Sequence, residues 1–375
     1  MQFFDLKAQY QTIEAEINAA VLNVLKEGVF IGGEVVGEFE KKVAEFVGVK
    51  HAITLNSGTD ALYLSLKALN IGAGDEVITT PFTFFATAEA IAAIGAKPVF
   101  VDIDPATFNI DVSKIKTAIT KNTKAIMPVH IFGQMADMVA IKKIAQEHDL
   151  KIIEDCAQSI GAEQEIDGKK IKSGSIGDTG CFSFFPTKNL GVYGDGGMVT
   201  TNDDGIAARL RMLKTHGSSP EDKYKNLIIG VNSRLDTIQA AILNVKIKYL
   251  DNWNRQRAHI AGYYNEQLKG VGNIATPFVA PQNNHIYHQY TIRTSKRDQM
   301  AQALKLAGIP TMVYYSIPLQ LQPALEYLGY KAGDFPEAER ASHEVLSLPI
   351  YPELRQGDQD EVIKAIKDFY ETSER

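Results

Sequence analysis

Between residues 74 and 157, short apolar runs alternate with segments whose apolar residues recur at helical spacing, and this alternation restricts the possible folds more than any other feature. The apolar, strand-like runs are 74–80, 97–104, 123–130 and 151–157. The segments between them that predict helices are 85–96, 111–120 and 138–149. Strands joined by single helices through short connections form a mainly parallel sheet with helices on both faces. The sequence therefore predicts an α/β fold.

The pattern continues beyond this region and then changes. The further predicted strands are 179–186, 196–202, 288–294 and 311–315, and the further predicted helices are 204–217 and 297–308. Helical periodicity dominates from residue 236 to 268, with a break predicted near Asn252. We therefore expect a large domain over residues 1–249, which begins with an amphipathic helix, and a smaller α+β domain over residues 250–375.

Composition and charge argue against some classes of protein. The 39 Lys and Arg residues and the 45 Asp and Glu residues leave a formal net charge of −6, which disfavours a nucleic-acid partner but permits an anionic small-molecule substrate. Cys156 and Cys181 do not form a C-x-x-C pair and lie in apolar runs, so we expect buried thiols. No secretory signal is recognisable, and no apolar run approaches the roughly 18 residues that span a membrane. We expect a cytoplasmic protein without a membrane partner.

Ligands of open α/β sheets bind beyond the carboxyl ends of the strands, so residues at those ends are candidates for a site. The segment "NSGTDAL" (56–62) precedes a helical run, and its N–H groups with the Ser57 and Thr59 hydroxyls are suited to bind an anion. Taken alone, an ordinary helix N-cap is the simpler explanation. Glu154 and Asp155 end a predicted buried strand, where a carboxylate must be paired. A cation, N–H donors, a protonated cofactor nitrogen and a helix cap all satisfy that requirement.

Lys188 ends the aromatic segment "CFSFFPTK" and precedes a glycine-rich run. Most lysines are simply solvated, but a lysine whose pKa is lowered is an amine nucleophile that forms Schiff bases. Together, an anion cradle, a strand-end Asp and a strand-end Lys match pyridoxal phosphate. The phosphate, the ring nitrogen and the aldehyde of this cofactor require these three groups.

Several longer motifs, in order along essentially the whole chain, resemble the fold-type I aminotransferases, and within them the nucleotide-sugar aminotransferases of the DegT/DnrJ/EryC1/StrS family. The motifs that carry this resemblance include "FFDLKAQY", "NSGTDAL", "GDEVITTPFTFFATAEAI", "IEDCAQSIGA", "FSFFPTKNLGVYGDGGMVTTND" and "GVNSRLDTIQAAIL". The resemblance implies an aspartate-aminotransferase-like fold. In this fold a large domain with a mainly parallel seven-stranded sheet is followed by a smaller C-terminal α+β domain.

The resemblance implies pyridoxal 5′-phosphate as cofactor and assigns roles to the residues that match the family motifs. Lys188 would bind the cofactor aldehyde and later move protons between carbon atoms. Asp155 would pair with the pyridine nitrogen, and Gln158 would contact the ring hydroxyl. Phe84 would stack on the cofactor ring, a role that suits its flat face.

The remaining implied roles concern phosphate and substrate. Gly58, Thr59 and Ser183 would hold the cofactor phosphate. Asn232 would reach the phosphate of a neighbouring subunit's cofactor, so the functional unit would be a homodimer with shared active sites. Arg234 is a candidate for binding an anionic group of the substrate.

The resemblance also implies a reaction. L-Glutamate would donate its amino group, and the "TKNLG…GDGG" form of residues 187–197 is typical of relatives that aminate C3 of a nucleotide-linked 3-oxo sugar. Residues 286–325 are most similar to enzymes acting on UDP-2-acetamido-2-deoxy-3-oxo-glucuronate, in pathways to the O-antigen of lipopolysaccharide. Those relatives carry His-Tyr and Pro at the substrate-facing positions where this chain has Tyr314, Tyr315 and Ser316. UDP-3-oxo-GlcNAc, which lacks the carboxylate, is therefore a second candidate.

Three other functions match parts of the sequence pattern. Aminotransferases of dTDP-3-oxo-6-deoxyhexoses share the central motifs and differ more in the C-terminal part. Sugar dehydratases of the same family replace the lysine by histidine, so Lys188 argues against that activity. A non-catalytic regulator is disfavoured because the full set of cofactor residues is present.

Three histidines and one helical segment remain. His285 and His288 form an H-x-x-H pair without a third ligand nearby, so we predict no metal site there and interpret the segment as a substrate-facing or hinge loop. His216 is interpreted as a contact at a helix C terminus. The segment 255–259 predicts a solvated helix face.

Overall fold

The computed structural model describes residues 1–373 and has a seven-stranded sheet at its centre. In chain order, the strands of this sheet are β1 (His51–Leu55), β2 (Glu76–Thr79), β3 (Lys97–Phe100), β4 (Thr123–Ile126), β5 (Lys151–Asp155), β8 (Thr179–Ser183) and β9 (Gly197–Thr201). The strands outside it are β6 (Glu163–Ile166), β7 (Lys169–Lys172), β10 (Tyr290–Arg293) and β11 (Val345–Leu348).

The central sheet is mainly parallel, as predicted. Its spatial order is β1-β9-β8-β5-β4-β2-β3. Strands β8, β5, β4, β2 and β3 pair in parallel, whereas β9 is antiparallel to both of its neighbours, β1 and β8. The carboxyl ends of β1, β2, β5 and β8 consequently meet at one edge of the sheet. The predicted fold-type I α/β architecture is confirmed.

Twelve helices occur within residues 1–373 and surround the sheets. They are α1 (Leu6–Glu27), α2 (Gly33–Val47), α3 (Gly58–Ala68), α4 (Ala86–Ala93), α5 (Val112–Ala118), α6 (Met138–Glu147), α7 (Asp204–Leu213), α8 (Thr237–Lys246), α9 (Leu250–Leu268), α10 (Arg297–Leu306), α11 (Pro336–Glu344) and α12 (Gln356–Ser373). None of these described helices is long and apolar enough to cross a bilayer.

Both faces of the central sheet are buried, because consecutive strand residues point to opposite sides. Ile153 packs in an apolar cluster with residues of α3, α4 and α7, whereas its neighbour Ile152 packs in a different cluster with residues of α5 and α6. In the same way, Cys181 packs in the cluster that contains Ile153, whereas Phe182 packs in another cluster with residues of α2 and α8. Cys156 and Cys181 are buried free thiols, as predicted.

The C-terminal part has its own apolar core and one feature that contradicts the prediction. Strands β10 and β11 pair antiparallel, and residues of α9, α10 and α12 share an apolar cluster with them. Residues 311–315 were predicted as a strand, but only Met312 pairs, through an isolated bridge to Ser347. The apolar pattern of this segment has another cause, since Val313, Tyr314 and Tyr315 line a cavity.

Two expectations about the long helical stretch also need correction. The break lies at a 3-10 turn over Ile247–Tyr249, a few residues before Asn252. Within 255–259 the helix face is exposed except at Arg257, which is 4% exposed. Its guanidinium donates hydrogen bonds to the carbonyl oxygens of Tyr287, His288 and Ile350. A buried guanidinium requires such acceptors. These hydrogen bonds connect α9 to the segment before β10 and to the segment after β11.

Candidate active site

A cavity of about 540 Å³ opens where the carboxyl ends of β1, β2, β5 and β8 meet. All predicted site residues line it except Asn232 and Arg234. Those that end or follow the strands of the large sheet form what we call the sheet-edge face: Gly58, Thr59, Phe84, Asp155, Gln158, Ser183 and Lys188. Another part of the lining comes from the chain beyond α9 and is called the C-terminal wall: His288, Gln289, Val313, Tyr314 and Tyr315.

Lys188 lies in the loop after β8, and local hydrogen bonds fix its backbone. Its N–H donates to the carbonyl of Phe185 at 2.8 Å, and the N–H of Val192 donates to the carbonyl of Phe184 at 2.9 Å. The side chain is half-buried because the cavity reaches it. Burial lowers the pKa of Lys188 to about 8, and the Asp155 carboxylate opposes this shift. A much larger fraction of this amine than of an ordinary lysine is therefore neutral and nucleophilic near neutral pH.

Asp155 ends β5 and is held by two donors. The Thr87 hydroxyl donates to Oδ2 at 2.9 Å, and the N–H of Ala157 donates to Oδ1 at 3.2 Å. Burial raises the pKa of Asp155, while these two hydrogen bonds and the Lys188 ammonium act in the opposite direction. A buried carboxylate with one cationic neighbour is suited to pair with a further protonated nitrogen in the cavity.

Glu154, the neighbouring carboxylate, points to the other face of the sheet and has a structural role. It accepts hydrogen bonds from the N–H groups of Gly174, Ile176 and Gly177 and from His130 Nε2. Burial alone would raise the pKa of Glu154, but these donors lower it. His130, Glu154 and Cys156 place potential metal-ligand atoms within 4.8 Å of one another. Because both carboxylate oxygens already have donors, this cluster is explained without an ion.

The start of α3 and the end of β8 approach each other closely at the predicted anion cradle. Ser57 is the N-cap of α3, and its hydroxyl accepts from the N–H of Asp60 at 3.1 Å. The N-cap and the cradle are therefore the same feature. A Cβ on Gly58 would lie 2.6 Å from the Cβ of Ser183, and one on Gly197 would lie 2.1 Å from the Ser57 carbonyl oxygen. The start of α3 approaches the end of β8 and the start of β9 this closely only because both positions are glycine.

Aromatic residues shape the mouth of the cavity. Phe84 is 59% exposed, an unusual position for a phenyl ring, and its centroid lies 6.2 Å from that of Tyr315. Gln158 accepts from the N–H of Phe132 at 2.6 Å and donates to the Tyr315 hydroxyl at 3.0 Å. Gln158 thus links the sheet-edge face to the C-terminal wall. Phe84 keeps one face available to a planar ligand.

Asn232 and Arg234 are exposed and do not line the cavity of their own chain. Both precede α8, and Asn232 forms an isolated backbone bridge with Thr215. His216 lies beside the same segment, because its N–H donates a hydrogen bond to the carbonyl of Val231. The structure therefore separates these two candidates from the other predicted site residues.

Thr87, His288 and Gln289 also line the cavity, and none of them has an individual role predicted from the sequence. Thr87 supports Asp155 and lies within the motif "GDEVITTPFTFFATAEAI", so its position beside a site was recognisable but its partner was not. His288 and Gln289 precede β10 and are nearly fully buried, at 3% exposure each. His288 was interpreted from the sequence only as part of a substrate-facing or hinge loop. Its place in the cavity depends on long-range packing, for which a local sequence pattern has no signal.

Comparison with known proteins identifies the family. The sequence pattern of the DegT/DnrJ/EryC1/StrS aminotransferase family matches residues 11–367. A Geobacillus stearothermophilus protein named "Pleiotropic regulatory protein" is 50% identical over 98% of this chain and 97% of its own length. A Pseudomonas aeruginosa protein named UDP-2-acetamido-2-deoxy-3-oxo-D-glucuronate aminotransferase is 45% identical over 94% of this chain and 96% of its own. The resemblance inferred from the motifs is confirmed.

A third relative and two solved structures agree with this result. The dTDP-3-amino-3,4,6-trideoxy-alpha-D-glucose transaminase of Streptomyces venezuelae is 41% identical over 98% of this chain and 96% of its own. A crystal structure of S. venezuelae DesV superposes with a TM-score of 0.95 at 40% identity, covering 99% of this chain and 98% of that one. The structure of Bacillus subtilis NtdA with bound cofactor PMP superposes with a TM-score of 0.88 at 34% identity, covering 95% and 82%. The chain therefore belongs to the DegT/DnrJ/EryC1/StrS aminotransferase family.

Proposed function

We propose that this protein is a pyridoxal-phosphate-dependent aminotransferase that moves the amino group of L-glutamate to C3 of a UDP-linked 3-oxo sugar. The candidate sugars are UDP-2-acetamido-2-deoxy-3-oxo-glucuronate and UDP-3-oxo-GlcNAc, on a route to cell-surface polysaccharide such as O-antigen. The observation that carries the proposal is the meeting of Lys188, Asp155 and the α3 cradle in one cavity.

The residues of the sheet-edge face fit pyridoxal phosphate. The glycine-dependent approach of α3 to Ser183 leaves N–H groups and hydroxyls for a phosphate. The buried Asp155 carboxylate suits a protonated ring nitrogen, and the exposed Phe84 ring suits the face of a pyridine. Lys188, with its lowered pKa, suits an aldehyde.

The chain's own residues would divide the chemistry among them. When bound, pyridoxal phosphate supplies an aldehyde that takes up amino groups and a ring that stores the electrons of a broken C–H bond. Asp155 would hold a proton on the ring nitrogen, and Thr87 and Ala157 would keep that carboxylate ionised. As a general acid–base catalyst, Lys188 Nζ would move a proton from Cα of glutamate to the cofactor in the first half-reaction and from the cofactor to C3 of the sugar in the second.

The names of two relatives support C3 of a UDP-linked sugar as the position of amination. The charges that line the cavity bear on the substituent at C5 of that sugar. The names of the P. aeruginosa and S. venezuelae relatives both place the oxo or amino group at C3, and the UDP-sugar enzyme has the higher identity, 45% against 41%. Among the described residues that line the cavity, Lys188 is the only Lys or Arg. A uronate carboxylate would thus need a cation from elsewhere, for which we propose Arg234 of a second subunit. A dTDP-3-oxo-6-deoxyhexose is the alternative substrate.

We propose a homodimer in which Asn232 and Arg234 complete the cavity of the partner. Both residues are exposed beside apolar side chains that a monomer would leave in water: Leu227 is 53% and Ile229 is 85% exposed. The 29–31 segment, exposed as well, is joined to the same region by the hydrogen bond from the Thr237 N–H to the Phe30 carbonyl. We also propose that the large domain ends at residue 249 and the small domain begins at residue 250. We propose a cytoplasmic location as well, where the thiols of Cys156 and Cys181 would stay reduced.

Mixing two inactive variants tests the shared site. Lys188→Ala removes the amine from one cavity, and Asn232→Asp places a negative charge against the phosphate of the other. In a homodimer with shared sites, half of the randomly mixed dimers keep one intact site, so the mixture recovers about a quarter of the wild-type activity. An inactive mixture, with dimer exchange confirmed by mass spectrometry of tagged subunits, would contradict the shared site.

The name of the G. stearothermophilus relative favours a second candidate, a regulator. A regulator would bind the cofactor without turnover, whereas an aminotransferase completes a cycle. We therefore expect glutamate to bleach the visible absorption of the lysine-bound cofactor and one member of a panel of enzymatically made 3-oxo nucleotide sugars to restore it. Cofactor that stays bleached with every UDP- and dTDP-linked sugar of the panel would exclude the proposed function and favour the regulator.

A further inference from the structure

His288, in the C-terminal wall, is held in one position from several sides. Its ring stacks on Phe4, with a centroid distance of 6.4 Å and an angle of 18° between the planes. Its carbonyl accepts a hydrogen bond from the buried Arg257 at 3.3 Å. The preceding Tyr287 has a φ of 47°, a left-handed conformation that bulky residues adopt only when their surroundings impose it. The surrounding structure thus fixes where the imidazole stands.

The neighbour of Lys188 determines which ring nitrogen of His288 carries the proton. Asn189 Nδ2 donates to Asn254 Oδ1 at 2.8 Å and to the carbonyl of Ile286 at 3.2 Å. The atom of Asn189 that lies 3.1 Å from His288 Nδ1 is therefore its amide oxygen, Oδ1. An amide oxygen only accepts hydrogen bonds, so Nδ1 of His288 is the donor. In a neutral imidazole Nε2 then carries a lone pair.

The imidazole is neutral and Nε2 is unpaired within the protein. Burial, aided by the nearby positive charges of Lys188 and Arg257, holds the pKa of His288 well below its usual range. Within residues 1–373, Nε2 has no hydrogen-bond partner, and His288 lines the cavity. His288 therefore offers the cavity a hydrogen-bond acceptor.

Gln289, the next residue, offers a second acceptor. It is 3% exposed and lines the same cavity, and its Oε1 is buried without a hydrogen-bond partner among the described residues. An unpaired buried amide oxygen costs free energy, so the site gains when a ligand supplies a donor. Two adjacent residues that line the cavity thus each have an acceptor without a donor.

We propose that Nε2 of His288 and Oε1 of Gln289 bind hydrogen-bond donors of the nucleotide-linked sugar, namely a ring hydroxyl or an amide N–H. This assignment rests on the proposed function and adds two residues that recognise the amino acceptor. His288 and Gln289 are binding residues, and Asn189 is the positioning residue that sets the tautomer.

The chemistry of the two substrates favours the sugar over glutamate. Glutamate has one donor group, its amine, which is the group transferred, and two carboxylates that only accept hydrogen bonds. A carboxylate placed against two acceptors would lose its hydration without gaining a donor. A sugar ring has several hydroxyl groups that donate. The two acceptors therefore bind the substrate of the second half-reaction and leave the first largely unaffected.

Separate measurement of the two half-reactions tests the inference. We would compare wild-type holoenzyme with His288→Phe, which keeps an aromatic ring on Phe4 but removes both nitrogens, and with Gln289→Met. The probes are glutamate and the 3-oxo nucleotide sugar that restores the wild-type absorption. We expect the glutamate half-reaction to stay within about threefold of wild type and the apparent affinity for the sugar to fall about tenfold in each variant.

Matched variants separate binding from folding. His288→Gln can place an amide oxygen near the position of Nε2 and should recover part of the affinity, and the exposed Gln146→Met should match wild type in both half-reactions. Calorimetric titration of the amino-sugar product should show the same order of affinities. An unchanged sugar half-reaction, or an equal fall in both half-reactions, would overturn the inference. A wild-type enzyme that no 3-oxo sugar reoxidises would instead refute the proposed function on which the inference rests.

Discussion

The sheet-edge face and the C-terminal wall contribute to one cavity but are built in different ways. Residues of the sheet-edge face end or follow strands of the large sheet, and the sheet determines where these strand ends lie. Residues of the C-terminal wall lie in irregular segments on either side of β10 and α10, and Arg257 and Asn189 tie the first of these segments in place. The first region depends on regular secondary structure, and the second depends on individual side-chain contacts.

This difference suggests a division of labour. The sheet-edge face contains Lys188, Asp155 and the cradle that we propose for the phosphate, groups that any reaction of this cofactor would require. The C-terminal wall contains the acceptors that we propose bind the sugar, together with aromatic rings. Changes in the sheet-edge face should therefore impair both half-reactions, and changes in the wall should impair one.

The largest expected effect is that of Lys188→Ala, which should abolish both half-reactions. Loss of a positioned general acid–base group costs about 10²–10⁴-fold in rate, and the variant also loses the amine that holds the aldehyde. Stopped-flow absorbance with glutamate and with the sugar measures the two rates. Lys170→Ala, at an exposed lysine of the β6–β7 hairpin, is the control. A Lys188→Ala variant that transaminates at the wild-type rate would refute the assignment.

Substitution of the adjacent carboxylates Asp155 and Glu154 should have different effects, on catalysis in the first case and on stability in the second. Asp155→Asn should lower both half-reactions about 10²-fold, because an amide cannot keep a ring nitrogen protonated. Glu154→Gln should leave the cavity chemistry nearly intact but lower the free energy of unfolding by about 2–4 kcal/mol, because a fully buried carboxylate with four donors is replaced. Denaturant titration and half-reaction rates distinguish the two. If Asp155→Asn and Glu154→Gln lowered the free energy of unfolding equally and had equal half-reaction rates, this contrast would be contradicted.

A smaller effect is expected from Gly58→Ala. The new methyl group would meet Ser183, so the cradle must widen and cofactor affinity should fall about tenfold, judged by equilibrium dialysis. The control is Gly262→Ala on α9, where a Cβ meets nothing within 4 Å. That substitution should raise the free energy of unfolding by about 0.5–1 kcal/mol without changing cofactor affinity. Equal cofactor affinity in both variants would exclude the cradle.

The smallest expected effect is a shift in pH dependence. Only the neutral Lys188 amine attacks an aldehyde, so the rate of cofactor uptake by apoprotein should rise with pH to a plateau, with a midpoint near the pKa of about 8. The Asp155 carboxylate raises the pKa of Lys188, so Asp155→Asn should move the midpoint to lower pH. A midpoint near the ordinary lysine pKa of about 10.4, or an unmoved midpoint in the variant, would contradict the burial of this amine.

The lowered pKa of Lys188 also determines whether the free energy of unfolding rises or falls with pH. The unfolded chain keeps the Lys188 proton up to about pH 10.4, whereas the folded apoprotein releases it near pH 8. Between these values the unfolded state binds more protons, so the contribution of Lys188 to the free energy of unfolding rises with pH. In Lys188→Met this rise should disappear from the pH titration of stability.

The two regions also differ in how far the sequence predicts them. The strand–helix alternation predicted the parallel sheet, and strand-end positions led to Asp155 and Lys188, because in such a sheet chain order and spacing determine the site. Residues 311–315 were mistaken for a strand because residues that line a cavity and residues of a buried strand share the same apolar pattern. Arg257 was mistaken for a solvated residue because its three carbonyl partners are distant in sequence.

The fate of the glutamate nitrogen tests the central claim most directly. Holoenzyme would be incubated with nitrogen-labelled glutamate and the 3-oxo nucleotide sugar, and the product would be analysed by mass spectrometry and NMR. The proposed function predicts that the label appears in an amino group at C3 of the nucleotide sugar, with 2-oxoglutarate formed in equal amount. Label released as ammonia, or a sugar recovered without nitrogen, would contradict it.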